Sequence, residues 1–182
     1  MAAVEASVTN LLFDLVRRTF DPATGACSDP ETVAEARALG SSFAFPRPSP
    51  DGRWVVFTAA PYGGFPIWHR ASDLAIADLK MRWVRPIGEL NSGEAESYHT
   101  FSSDGTWLVF SSRRGDGAYT RPYFAHFDAK RGRFSKPFLL PVRDPGEHDR
   151  RMLSYNVPEF SAGPVAESGR ELRALVTKGV GK

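Results

Sequence analysis

Three arginines, an aspartate and a tyrosine crowd into Ser111 to Arg121: Arg113, Arg114, Asp116, Tyr119 and Arg121. Guanidiniums so grouped can grip a carboxylate or phosphate through paired N–H groups. The same residues can instead serve a turn, with Asp116 pairing to an arginine while Gly115 and Gly117 shape the backbone. A second unusual stretch is Tyr62 to His69, where aromatic and proline residues surround two glycines. Loops of this kind often carry binding residues. Trp68 and His69 can stack on or hydrogen-bond a ligand, or pack inward between neighbouring structural units.

Other chemistries lack their residue patterns. His69, His99, His126 and His148 include no i, i+4 pair of the helical zinc type, and Cys27 is alone. No disulfide within the chain and no cysteine zinc site can form. Gly-x-Ser-x-Gly, the Walker loop and Gly-x-Gly-x-x-Gly are missing. Asp73, Glu94, Glu96 and Glu159 could supply an acid/base pair, but nothing in their spacing selects two. The expectation is no catalytic residue, no metal and no cofactor.

The elements that must position these groups are written as repeats. Ser49-Pro50-Asp51-Gly52-Arg53-Trp54-Val55-Val56-Phe57 returns 53 residues later as Ser102-Ser103-Asp104-Gly105-Thr106-Trp107-Leu108-Val109-Phe110. Phe20-Asp21, Gly25, Cys27-Ser28 and Pro30 return 107 residues later as Phe127-Asp128, Gly132, Phe134-Ser135 and Pro137. A period near 50 with Asp-Gly turns and aromatic strands indicates propeller blades. Asp51 and Asp104 are then turn residues. Trp54–Thr58 and Trp107–Ser111 read as strands covered on both faces. Phe43–Pro48 and Ser97–Ser102 precede them as innermost strands, and Ser154–Phe160 opens a further copy, with Phe45, Tyr98 and Tyr155 in register. Leu74–Leu79 and Pro122–Asp128 serve as third strands.

The fold read from this pattern is all-β: a partial β-propeller of about three four-stranded blades with short helical segments near the ends. Residues 1–41 hold the end of a preceding blade and a connecting segment, 42–96 and 97–153 are blades, and 154–182 start another blade and a helix-like tail. Within 1–41, Leu11–Phe20 reads as a strand in preference to a helix over Ala3–Arg18. Asp29–Leu39 reads as a helix, with Asp29 as N-cap, Pro30 at the first position and Gly40 after the end. Ser168–Lys178 reads as a helix with Leu172, Leu175 and Val176 on one face. Innermost strands line a propeller's channel, so Arg47, Ser97, His99, Asn156 and Glu159 form a polar funnel suited to a peptide or small polar ligand.

Composition narrows the partners. A formal charge of +2 on 182 residues gives no argument for nucleic acid. No apolar run approaches the roughly 18 residues of a membrane span. The first residues lack a signal-peptide pattern: Glu5 precedes any basic residue, and Asp14 breaks Leu11-Leu12-Phe13. A partial propeller also leaves sheet edges unpaired, which invites homo-oligomers.

The Ser-Pro-Asp-Gly-x-Trp-x-x-Phe turn resembles the WD40-like Pro-Asp repeat of TolB-like β-propellers. The likeness extends through Phe45–Gly52, Tyr62–His69, Ala71–Leu74, Ser97–His99, Phe110–Arg121, Lys136–Pro141 and Tyr155–Phe160. This string is similar to the C-terminal half of bacterial exported TolB-like proteins, some labelled as linked to cytochrome c biogenesis. The resemblance implies a periplasmic, non-catalytic propeller that binds a protein, peptide or cell-envelope component. From the arginine cluster, the aromatic loop and the funnel positions, the expected binding residues are Trp68, His69, His99, Arg113, Arg114, Asp116, Tyr119, Arg121, Asn156 and Glu159. Two rival readings are a carbohydrate-active propeller enzyme and the non-catalytic propeller module of a peptidase-like protein.

Overall fold

The computed structural model describes residues 10–164, 166 and 168–179. Its repeated unit begins at the Asp-Gly turns. Ser49 Oγ donates to Asp51 Oδ1 at 2.5 Å and accepts from the Trp54 N–H at 3.0 Å, while Asp51 Oδ1 accepts from the Arg53 N–H. Ser102, Asp104, Thr106 and Trp107 reproduce the same bonds. Gly52 and Gly105 each sit at φ +70°, a conformation that favours glycine.

Each turn joins an innermost strand to the next. β1 (Leu15–Arg17) and β2 (Glu31–Ala34) pair with each other, and a helix, α1 (Ala36–Leu39), follows. The first blade is the antiparallel meander β3 (Ser42–Pro48), β4 (Trp54–Ala60), β5 (Asp73–Asp78) and β6 (Trp83–Pro86). The second is β7 (Glu96–Phe101), β8 (Trp107–Ser112) and β9 (Arg121–Asp128), with a fourth strand split into β10 (Arg133–Phe134) and β11 (Phe138–Leu139). α2 (Glu147–Arg150) and α3 (Gly169–Gly179) complete the elements. Among the described residues no helix is long and apolar enough to cross a membrane.

The longer repeat maps strand pair onto strand pair. Phe20 bridges Cys27 as Phe127 pairs with Phe134. Arg17 and Val16 face Glu31 and Thr32 as Phe124 and Tyr123 face Phe138 and Leu139. β1 and β2 thus repeat the pairing of β9 with β11. This corrects the helix expected over Asp29–Leu39. Glu31–Ala34 is a strand, because Thr32 and Val33 are β-branched and β1 offers it a ladder. Only Ala36–Leu39 is helical; Glu35 stands at its N-cap, and Gly40 at φ +64° ends it. The alternative of a helix from Ala3 lies partly outside the described residues; Leu15–Arg17 is strand.

The third copy also needs a corrected register. Phe45, Tyr98 and Val157 share a positive φ of 52°, 44° and 51°. The Tyr155 N–H donates to the Thr120 carbonyl as the Glu96 N–H donates to that of Ser72. Val157, not Tyr155, thus stands where Phe45 and Tyr98 do, and Phe160 matches Pro48 and Phe101.

Period-two alternation along β4 builds two cores. Trp54 and Val56 point toward the second blade, with Leu74, Ile76, Phe101, Leu108, Phe110 and Phe127. Val55 and Phe57 point the other way, with Leu15, Ala34, Ala36 and Phe43. Each large side chain so buried contributes roughly 1.5–3 kcal/mol. Trp54 also locks the blades together, since its Nε1–H donates to the Ala129 carbonyl at 2.9 Å. Gly132 lies so close under the same indole that an added Cβ would fall 2.3 Å from the ring.

Candidate functional site

β4 and β8 end at the same face of the molecule and release the loops 61–72 and 113–120; the interblade loop 87–95 lies between them. Backbone bonds tie the three together, Glu96 N–H to the Ser72 carbonyl and Arg113 N–H to the Ala95 carbonyl.

The first loop is held from several sides. The Gly63 N–H donates to the Leu11 carbonyl at 2.7 Å, and an added Cβ on Gly63 would overlap the Phe13 ring. Pro66–Trp68 form a turn of 3₁₀ helix, whose first carbonyl accepts from Ser72 Oγ at 2.5 Å. His69 packs on Tyr62 with ring centroids 4.2 Å apart. Burial lowers the His69 pKa, against the opposing effect of a backbone hydrogen bond at Gly64, and its Nδ1 is buried with no hydrogen-bond partner. This scaffold holds two aromatic rings out in water: Phe65 is 75% exposed and Trp68 70%. Phe65 itself sits at φ +41°, a costly conformation for a bulky residue.

The arginines of the second loop separate by role. Arg113 lays its guanidinium over Trp68, 4.3 Å from the ring centroid. Arg114 turns inward: it donates to Ser112 Oγ, to the Leu90 carbonyl and to the fully buried Glu96, and stacks on Tyr123 at 4.6 Å. Glu96 further accepts from Ser92 and Ser112. Arg121 is buried and donates to the carbonyls of His148, Arg151 and Leu153, clamping the segment that leads to the third copy. Asp116 caps its own turn by accepting from Ala118 and Tyr119 N–H, and lies 3.7 Å from Arg121; the Tyr119 ring flanks Arg121 at 5.3 Å. These bonds, with the Arg121 and Arg113 charges, hold the Asp116 carboxyl below its ordinary range.

Of the remaining candidates, His99 lies on the innermost strand β7, while Asn156 and Glu159 lie in the non-strand segment of the third copy. His99 is buried, and its Nε2–H donates to the Val56 carbonyl at 2.9 Å. Burial, aided by the Arg47 charge, lowers its pKa to about 4. Asn156 accepts from Thr120 Oγ1 at 2.8 Å. Glu159 pairs with Arg47 at 3.5 Å, bringing the first blade and the third copy together. An open cleft of about 450 Å³ adjoins Asn156 and Glu159, walled by Val109, Phe124 and Phe160.

The structure thus joins Trp68 to Arg113 across the blade boundary, while Arg114, Arg121 and His99 are engaged internally. Sequence reasoning missed Phe65, which stood inside the singled-out aromatic stretch, and the Arg70–Glu94 pair at 2.8 Å beside it. Of the carboxylates weighed for acid/base work, Asp73 has its pKa raised by burial and then by the Glu96 charge. Among the described residues no group of three or more His, Cys, Asp or Glu could hold a metal ion.

No family model matches the chain, and no curated protein does. Among solved structures it is similar to TolB from Acinetobacter baumannii, with 25% identity over 64% of this chain and 25% of that one, at a TM-score of 0.41. It is also similar to the β-propeller domain of the Trilobed protease from Pyrococcus furiosus, which has an open velcro topology. That likeness has 17% identity over 70% of this chain and 39% of the other, at a TM-score of 0.40. The chain therefore spans well under half the length of either. By its own strand pairings it is a partial β-propeller, and TolB is among the propellers it is similar to.

Proposed function

We propose that this chain is a non-enzymatic binding module whose loop face, built from 61–72 and 113–120, recognises a protein or peptide. The observation that carries this reading is Trp68, which stands 70% exposed on an anchored loop with Arg113 stacked on it. Tryptophan, other aromatics and arginine dominate the few residues that supply most binding energy at interfaces. A pair joined across a blade boundary presents them without the cost of ordering a floppy loop. The resemblance of the turn motifs to exported TolB-like proteins supports a periplasmic setting and a cell-envelope partner.

A random-peptide phage library panned on the immobilised protein tests the reading. Enriched peptides, made synthetically, are expected to bind with measurable heat and to weaken at least about tenfold against the Phe65→Ala/Trp68→Ala double variant. An unenriched library, or peptides indifferent to the double variant, would overturn the site. Cleavage of bound peptides, seen by mass spectrometry, would overturn the non-enzymatic part.

A further inference from the structure

Arg113 is left with an unmet need. Its Nε is buried without a hydrogen-bond partner, and its Cζ lies over the Trp68 ring, 4.3 Å from the centroid. An unsatisfied buried donor is costly, so an acceptor that draws the Arg113 guanidinium toward it relieves that cost. Neighbouring carboxylates are committed elsewhere. Glu94 pairs with Arg70, and Asp116 accepts from two backbone N–H groups and flanks Arg121. The loop beneath Trp68 holds a second unanswered polar atom, Nδ1 of His69. A guanidinium carries paired N–H groups that a carboxylate accepts with both oxygens.

Resting on the binding reading above, we infer that the Trp68–Arg113 corner takes an acidic side chain of an extended peptide, the carboxylate on Arg113 and a neighbouring apolar residue on Phe65 and Trp68. A side chain fits better than a chain terminus. Terminal carboxylates are captured by rows of backbone N–H groups, and five such groups here are already engaged. Trp68 and His69 N–H donate to the Phe65 and Pro66 carbonyls, Gly117 N–H to that of Arg113, and Ala118 and Tyr119 N–H to Asp116.

Three probes decide it: an end-blocked five-residue peptide with glutamate between two phenylalanines, its glutamine counterpart, and the glutamine peptide with a free C-terminus. Binding is followed by titration, and the Arg113 Nε–H signal by ¹⁵N NMR. The glutamate peptide is expected to bind at least about tenfold tighter than the blocked glutamine peptide, to shift the Nε–H signal, and to weaken as salt is added. Arg113→Gln is expected to erase the preference while the rest of the spectrum stays in place. Equal affinity for both blocked peptides, lost together in Trp68→Ala, would overturn the carboxylate inference and leave the binding reading standing. Tightest binding by the free C-terminus would overturn the side-chain assignment. No binding of any probe would overturn the inference, with the phage library then judging the broader reading alone. A glutamate preference that survives Arg113→Gln would place the carboxylate elsewhere and overturn it too.

Discussion

His99 shows how one buried side chain can make the molecule's stability sensitive to pH. Its ring is enclosed, with Nε2–H on the Val56 carbonyl, and its pKa is lowered from 6.5 to about 4. The folded state thus prefers the neutral ring, and the unfolded chain binds the proton more readily. The stabilising contribution is complete above about pH 6.5 and is lost as pH falls toward 4, amounting to about 3 kcal/mol across that window. Denaturant unfolding at pH 7 and pH 4.5 is expected to show a fall in stability that His99→Gln largely removes; parallel curves for the two proteins would contradict it. The sequence marked His99 as a channel-lining polar residue, and its place on an innermost strand follows from the repeat. Its enclosure was not legible, because Val56 meets it from the neighbouring blade, 43 positions earlier in the chain. The same limit applied to the arginine cluster. Clustering pointed to the right loop, but only the positions of Trp68, Glu96 and the 148–153 carbonyls separate Arg113 from Arg114 and Arg121.

At the scale of the element, the Asp-Gly turns were the most legible part, because every bond in them is local. Asp104 is held at a pKa of about 2 by Ser102 Oγ–H first, then by the backbone N–H and hydroxyl of Thr106. A carboxyl depressed in the folded state stabilises above its unfolded value, near 4, and loses that contribution as pH falls toward 2. Ser102→Ala is expected to raise the Asp104 pKa toward its ordinary value, as read by carboxyl ¹³C shifts; an unmoved titration would show that Ser102 does not set it. Misreadings arose where local and long-range signals disagree. Asp29, Pro30 and Gly40 spell a helix start and stop, yet Thr32 and Val33 answer to the ladder with β1. In the third copy, the shared tyrosine at 155 drew the alignment two residues away from Val157. Backbone conformation repeats there where side-chain identity does not.

Across the whole molecule, the two complete blades are closed on each other, while the flanking strands are only partly met. β9 pairs with β8 on one side and with β10 and β11 on the other. Its earlier counterpart β1 pairs only with β2 among the described residues. Val16 and Phe20, on and beside that strand, are exposed, as are Leu11, Leu12 and Phe13 just before it. A ladder edge with no partner among the described residues, next to apolar side chains, is a template for a further strand. The purified 182-residue chain is therefore expected to associate as its concentration rises, with light-scattering mass climbing above 20.1 kDa. Val16→Lys places a charge on that edge without touching either interblade core, so it is expected to hold the mass at the single-chain value while leaving the cooperativity of unfolding unchanged. A single-chain mass for the unmodified protein at every concentration would mean that the segment around β1 shields its own edge. Association that ignores Val16→Lys would move the contact to another surface, with the exposed rings of Phe65 and Trp68 the next to be tested.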